Sequence, residues 1–278
     1  MPHRTEQLVD VADGYRLWVG TTGDRDRPPL LLIMGANASG LWWPDRLVDL
    51  LAARHRVIRY DHRDTGRSTH AFDERPYPLT ALADDALAVL DALDVDRTHA
   101  VGMSLGGTLL QVLLVDRPER FRSATLLGTP ALDDVDAPGP TEAMLELWGA
   151  MGEQRTPDDE RAWQVEHWRA LNGGQLPFDL AEFEALERRV AEHRGTAVAA
   201  TAHALADQSG LDRDLGAIET PVLVVEAPAD PVAPPPTATR AAARIPGARL
   251  EVVPGLGHAL PDAVLDQLAA AVLAHTAR

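Results

Sequence analysis

Short apolar runs alternate with helix-length segments over most of this chain, and that alternation limits its fold more than any other feature. Leu30–Met34 is an unbroken apolar run between Pro29 and Gly35, and Arg56–Tyr60, Thr98–Met103 and Ala124–Leu127 are further runs of strand length. Between them, Trp43–Ala53 and Thr80–Leu93 place apolar residues at helical spacing, as in Leu82, Ala86, Val89, Leu90 and Leu93. Strand, helix and strand joined by short connections predict a parallel sheet covered by helices on both faces, the α/β class. The same rhythm closes the chain: a strand at Val222–Glu226, a helix at Thr237–Arg244, a strand at Leu250–Val253 and a helix from Asp262 to His275.

One long interruption breaks the rhythm. From Pro130 to Leu215 nothing alternates like a strand, and helical runs are expected at 142–151, 158–171 and 180–193. Roughly 80 residues is too long for an unstructured connection in a compact domain. The expected organisation is a core of residues 1–129 and 216–278, with residues 130–215 inserted as a helical cap.

Composition removes several chemistries. The 278 residues carry 42 acidic and 26 basic side chains, a formal net charge of −16, and every basic residue is arginine. With no lysine and no cysteine there is no Schiff-base lysine, P-loop lysine, thiol nucleophile, disulfide or thiolate metal site. So negative a field argues against nucleic acid or an anionic membrane as partner. Met1–Asp10 is polar and lacks the apolar core of a signal peptide, and no apolar run approaches the ~20 residues that span a bilayer. The expectation is a cytoplasmic protein.

Gly102-Met103-Ser104-Leu105-Gly106 is a G-x-S-x-G pentapeptide set between a strand and a helix. A turn that sharp strains the serine backbone, needs small neighbours, and lifts the hydroxyl above the strand ends. A serine nucleophile needs a base and the base needs an orienting acid. Of the ten histidines, His258 alone follows a late strand in a short glycine-bearing loop, Pro254-Gly255-Leu256-Gly257-His258. His62, flanked by Asp61, Arg63 and Asp64, reads as a structural hydrogen-bonding residue. Asp230 follows the strand ending at Glu226 and falls between Ser104 and His258, giving the order Ser, Asp, His. Asp133 and Asp134, after an earlier strand, are its rivals. Two backbone N–H groups must meet the oxyanion. Leu105 supplies one, and Ala36, in the small-residue loop Gly35–Gly40, is the choice for the other.

Together these residues resemble the α/β-hydrolase superfamily over nearly the whole chain, and within it the aclacinomycin methylesterase group of polyketide-tailoring esterases. The resemblance rests on Met34-Gly35-Ala36-Asn37, on Tyr60-Asp61-His62-Arg63-Asp64-Thr65-Gly66-Arg67-Ser68-Thr69, on the turn at Ser104, on Ala229–Pro234 and on Pro254–Pro261. It departs at Met34-Gly35-Ala36, where many relatives begin His-Gly, and at Leu105-Gly106-Gly107. The resemblance implies a triad of Ser104, Asp230 and His258, oxyanion donors at Ala36 and Leu105, and no cofactor or metal. A serine in the turn sets the chain apart from haloalkane dehalogenases and epoxide hydrolases, which carry aspartate there; serine perhydrolases share the triad.

The expected activity is hydrolysis of a small-molecule carboxylic ester through an acyl-enzyme, on hydrophobic esters of small alcohols that include aromatic polyketide methyl esters. A general short-chain carboxylesterase, a serine perhydrolase, or a ligand-binding module on the same scaffold are the alternatives. Trp148, Trp163 and Trp168 of the insertion, with Trp42 and Trp43 beside the oxyanion loop, are the candidate apolar substrate wall.

Overall fold

The computed structural model describes residues 3–151, 153–195 and 201–277. In chain order the strands are β1 (Arg4–Asp10), β2 (Arg16–Thr22), β3 (Pro29–Ile33), β4 (Arg56–Tyr60), β5 (Thr98–Met103), β6 (Phe121–Leu127), β7 (Val222–Glu226) and β8 (Arg249–Val252). The helices are α1 (Asp45–Ala52), α2 (Leu79–Ala92), α3 (Leu105–Asp116), α4 (Glu142–Gly149), α5 (Pro157–Leu171), α6 (Leu180–Arg194), α7 (Ala202–Leu205), α8 (Thr237–Arg244) and α9 (Asp262–Thr276).

The strands form one 8-stranded sheet in the order β1-β2-β4-β3-β5-β6-β7-β8. From β4 through β8 every pairing is parallel. The alternation of side chains along each strand divides the core in two. Leu30, Leu32, Val57 and Val101 face Leu47 and Leu51 of α1 and Leu265 and Leu268 of α9. Leu31, Ile33, Ile58 and Ala100 face Leu82 and Leu90 of α2, Leu109 and Leu113 of α3, and Ala241 of α8. Apolar residues on both faces are what a doubly covered sheet requires.

The chain leaves β3 toward β4 on one side and then places β5 on the other side of β3. Ligand crevices in open α/β sheets form where the strand order reverses in this way, outside the carboxyl ends of the strands. At those ends stand the loop beginning at Gly35 and the turn at Ser104.

Two elements differ from the sequence expectation. The polar N-terminal stretch pairs as β1 with β2 in antiparallel register, Leu8 opposite Trp18, and β2 continues antiparallel onto β4. Only Val9 of β1 is buried, because an edge strand covered on one face at most needs little apolar pattern. The second is the start of the first helix. Pro44 stands before α1, so Trp42 and Trp43 precede the helix rather than open it.

Between β6 and β7 the described chain is helical. Thr141, Thr156 and Asp179 open α4, α5 and α6 by accepting the backbone N–H groups of Met144, Asp159 and Glu182. Met144, Trp168, Leu171 and Phe183 bury one another together with Ala259, and Val232 packs against them. The end of α5 is fixed still more closely to the core. The Leu171 carbonyl accepts the N–H groups of His258 (2.7 Å) and Ala259 (3.1 Å). Gly173, at φ +76°, approaches so near that a Cβ there would lie 1.9 Å from the Ala229 carbonyl oxygen. Among the described residues no helix is long and apolar enough to cross a membrane.

Candidate active site

Ser104 joins β5 to α3 at φ 53° and ψ −124°, outside the regions an L-residue ordinarily adopts. The flanking glycines make that turn possible. A Cβ on Gly102 would lie 2.4 Å from the Gly106 carbonyl oxygen, and one on Gly106 would lie 2.1 Å from that of Ile33. The Ser104 N–H donates to the Leu127 carbonyl at 2.9 Å, which ties the turn to the end of β6. The side chain is half-buried, and among the described residues its hydroxyl makes no hydrogen bond.

His258 and Asp230 meet beside that turn. His258 Nδ1 lies 2.8 Å from Asp230 Oδ2 and 3.1 Å from Oδ1. The other demands on the carboxylate are met by the backbone: Oδ1 accepts the N–H groups of Val232 (2.8 Å) and Ala233 (2.9 Å). Burial alone would raise the pKa of Asp230. The facing imidazole and the two backbone donors outweigh burial and hold the carboxyl below its usual range. Gly128, directly after the residue that accepts the Ser104 N–H, makes room for the pair. A Cβ there would lie 3.0 Å from Asp230 Oδ2 and 3.0 Å from both Nδ1 and Cε1 of His258. The structure thus brings Ser104, Asp230 and His258 to the ends of β5, β7 and β8, with no hydrogen bond joining Ser104 Oγ to His258 among the described residues. The rival acids are engaged elsewhere. Asp134 accepts from Arg240 (2.6 Å) and Arg244 (2.8 Å), and Asp133 pairs with Arg244.

The loop after β3 lies against the serine, since a Cβ on Gly35 would be 3.2 Å from Ser104 Cβ. The N–H groups of Ala36 and Leu105 make no hydrogen bond among the described residues. The next one along the loop is occupied: the Asn37 N–H donates to His203 Nδ1.

Of the five tryptophans expected to line the substrate wall, Trp43 is in the core instead. It is fully buried among Leu47, Val48 and Val57, packed with the apolar face of α1 against the sheet. Trp42 is half-buried with its ring centroid 4.4 Å from that of Trp168. Trp168 is itself buried, stacked on Phe183 at 5.0 Å and donating to Glu187 at 2.6 Å. Trp148 and Trp163 are half-buried and converge on His167. Trp148 donates to His167 Nε2 at 3.2 Å, and Trp163 stacks on the imidazole at 5.2 Å. Burial, with His258 close by, pushes His167 down to about 4.

His167 had no sequence signal beyond its place on an amphipathic helix. The same holds for His193, at the end of α6. It lies 2.7 Å from the buried carboxylate of Asp61, which also accepts from Ser39 Oγ and from the N–H groups of Gly40 and Arg67.

The sequence profile of the family described as alpha/beta hydrolase fold matches residues 28–262. The chain belongs to the α/β-hydrolase fold family. Rhodomycin D methylesterase DauP of Streptomyces sp. strain C5 is 45% identical over 95% of this chain and 96% of its own. Rhodomycin D methylesterase DnrP of Streptomyces peucetius is 44% identical over the same shares. Among solved structures, a hydrolase from Pseudomonas aeruginosa PA01 superposes with a TM-score of 0.74 at 29% identity, covering 99% of both chains. The 2-hydroxy-6-oxo-6-phenylhexa-2,4-dienoate hydrolase of Rhodococcus sp. strain RHA1 reaches 0.80 at 20% identity over the full length of both, a likeness of fold. The expected resemblance to methylesterase-type α/β hydrolases is therefore met.

Proposed function

We propose that this protein is a serine carboxylic-ester hydrolase that removes a small alcohol, methanol in the first instance, from the ester of a bulky hydrophobic acid. The observation that carries the reading is the 2.8 Å Asp230–His258 contact beside a positive-φ serine. The 45% identity to a rhodomycin D methylesterase supports the choice of ester.

In this reading His258 Nε2 takes the proton of Ser104 as the hydroxyl oxygen attacks the ester carbonyl. Asp230 keeps the remaining proton on Nδ1, which leaves Nε2 free to accept, and it stabilises the imidazolium that forms. The N–H groups of Ala36 and Leu105 receive the oxyanion. Collapse expels the alcohol, protonated by His258, and water then cleaves the acyl-enzyme by the same steps in reverse roles. Residues 130–215 act as the cap. Trp42, Trp148 and Trp163, the half-buried indoles, form the wall against the acyl group, and Trp168 supports it from behind.

Burying an aromatic ring on that wall contributes ~1.5–3 kcal/mol, or roughly 10- to 100-fold in kcat/KM. The test is a panel of methyl esters running from methyl acetate to those of polycyclic aromatic acids, so that the leaving alcohol is the same throughout. The polycyclic methyl esters should have the higher kcat/KM; a best substrate at the acetate end would contradict the substrate assignment.

A further inference from the structure

We propose that His203 and His62 are positioning residues that hold the oxyanion loop on both sides of Ala36 and so fix the direction of the Ala36 N–H. The proposal rests on the reading of Ala36 and Leu105 as the oxyanion donors. At the near end of the loop, His62 Nε2–H donates to the Met34 carbonyl at 2.9 Å. Just past Ala36, Asn37 and His203 form a two-point contact. The Asn37 N–H donates to His203 Nδ1 at 2.9 Å, and the His203 N–H donates to Asn37 Oδ1 at 3.1 Å. His203 Nε2–H then donates to the Arg63 carbonyl at 3.0 Å, on the loop that carries His62.

This arrangement needs a particular protonation state. His203 Nδ1 must be an acceptor because it faces an N–H, and Nε2 must be a donor because it faces a carbonyl. A second proton would set one N–H against another. His62 and His203 are both at least 98% buried, and their rings meet edge to face at 5.5 Å. Burial, with His62 beside it, pushes His203 down to about 3, and burial likewise lowers His62. Both rings are therefore neutral at neutral pH, as the hydrogen-bond pattern demands.

The backbone between the two contacts is the part that matters. Asn37 sits at φ 57°, a strained value for a residue with a side chain, and His203 bonds both its N–H and its side chain. That bend turns the chain away immediately after Ala36. His203 comes from α7, between β6 and β7, so that connection reaches back to brace a loop that follows β3. A displacement of about 1 Å in a catalytic donor costs on the order of 100-fold, comparable to losing the donor.

The experiment compares His203→Asn with His203→Gln. An asparagine amide can place its oxygen where Nδ1 stood and accept the Asn37 N–H; a glutamine amide reaches the Nε2 position and serves only Arg63. We expect H203Q to lose about 30- to 100-fold in kcat with KM within about three-fold, and H203N to stay within about five-fold of wild type. An aryl trifluoromethyl ketone gives a second readout. Ser104 Oγ adds to its carbonyl, the proton passes to His258, and the adduct oxyanion occupies the hole, so its affinity should fall in H203Q by the factor lost in kcat. Equal kcat in the two variants, loss in KM alone, or unchanged ketone affinity would each overturn the positioning role. If H203Q does not fold, the same comparison is made at His62, where the reach is reversed: glutamine keeps a donor to the Met34 carbonyl and asparagine does not. Equal kcat and ketone affinity in His62→Gln and His62→Asn would overturn the proposal as well. Wild type that neither turns over esters nor forms the adduct would refute the proposed function instead, which keeps the two failures apart.

Discussion

Replacing Asp230 by asparagine isolates what the acid does, because the surrounding structure dictates how the new side chain sits. Its oxygen takes the Oδ1 position, where the N–H groups of Val232 and Ala233 wait at 2.8 and 2.9 Å. The amide nitrogen is then left at the Oδ2 position, facing His258 Nδ1 across 2.8 Å. Two N–H donors cannot share that contact, so His258 adopts the tautomer with its proton on Nε2. In that form it cannot accept the proton of Ser104. The expected loss is roughly 10⁴-fold in kcat, or about 5.4 kcal/mol at 1.36 kcal/mol per factor of ten, with little change in KM. Steady-state hydrolysis of a p-nitrophenyl ester measures it, with circular dichroism to show that D230N is folded. A variant keeping more than a tenth of the wild-type kcat would refute the reasoning, as would an equal loss in Asp133→Asn.

The acid also bears on stability. A carboxyl held below its usual range stabilises the fold above the unfolded-state pKa near 3.8 and loses that contribution as pH falls through the folded value. The Tm difference, wild type minus D230N, should therefore shrink between about pH 5 and 3 in thermal melts, and a constant difference would contradict this. Gly128→Ala places a Cβ 3.0 Å from both partners of the acid–base pair at φ +57°; kcat should drop at least about ten-fold and the melt should show a loss of ~1–2 kcal/mol. Trp148→Ala and Trp163→Ala should lower kcat/KM for polycyclic methyl esters at least about five-fold relative to p-nitrophenyl acetate, and an unchanged ratio would make both rings mere packing. Trp168→Ala, by contrast, empties a buried position and should cost ~3–5 kcal/mol of stability, read from denaturant unfolding.

The central parallel strands, β3 to β7, were legible because they are buried on both faces, so runs such as Leu30–Met34 carry an unmistakable apolar signal. β1 was not, since an exposed edge strand like Arg4–Asp10 obtains its order from pairing with β2 rather than from burial. The serine turn could be read from five residues because strain, glycine and strand-to-helix context are all local. The meeting of Asp230 and His258 needed only chain order and two short loops at neighbouring strand ends. Trp43 misled because a tryptophan beside an oxyanion loop has the same letter whether its ring faces the pocket or the core, and here it packs with Leu47 and Val48 of α1. His167, His193 and His203 were illegible for a different reason: each acts across more than a hundred residues or through a helix whose packing no local pattern specifies.

The most direct test of the central claim is mass spectrometry after reaction with a serine-directed fluorophosphonate. One phosphonyl group should be added to wild type, located on the peptide containing Ser104, with ester hydrolysis lost in proportion to labelling and no addition to Ser104→Ala. Labelling at another residue, or hydrolysis that persists once Ser104 is fully modified, would contradict it.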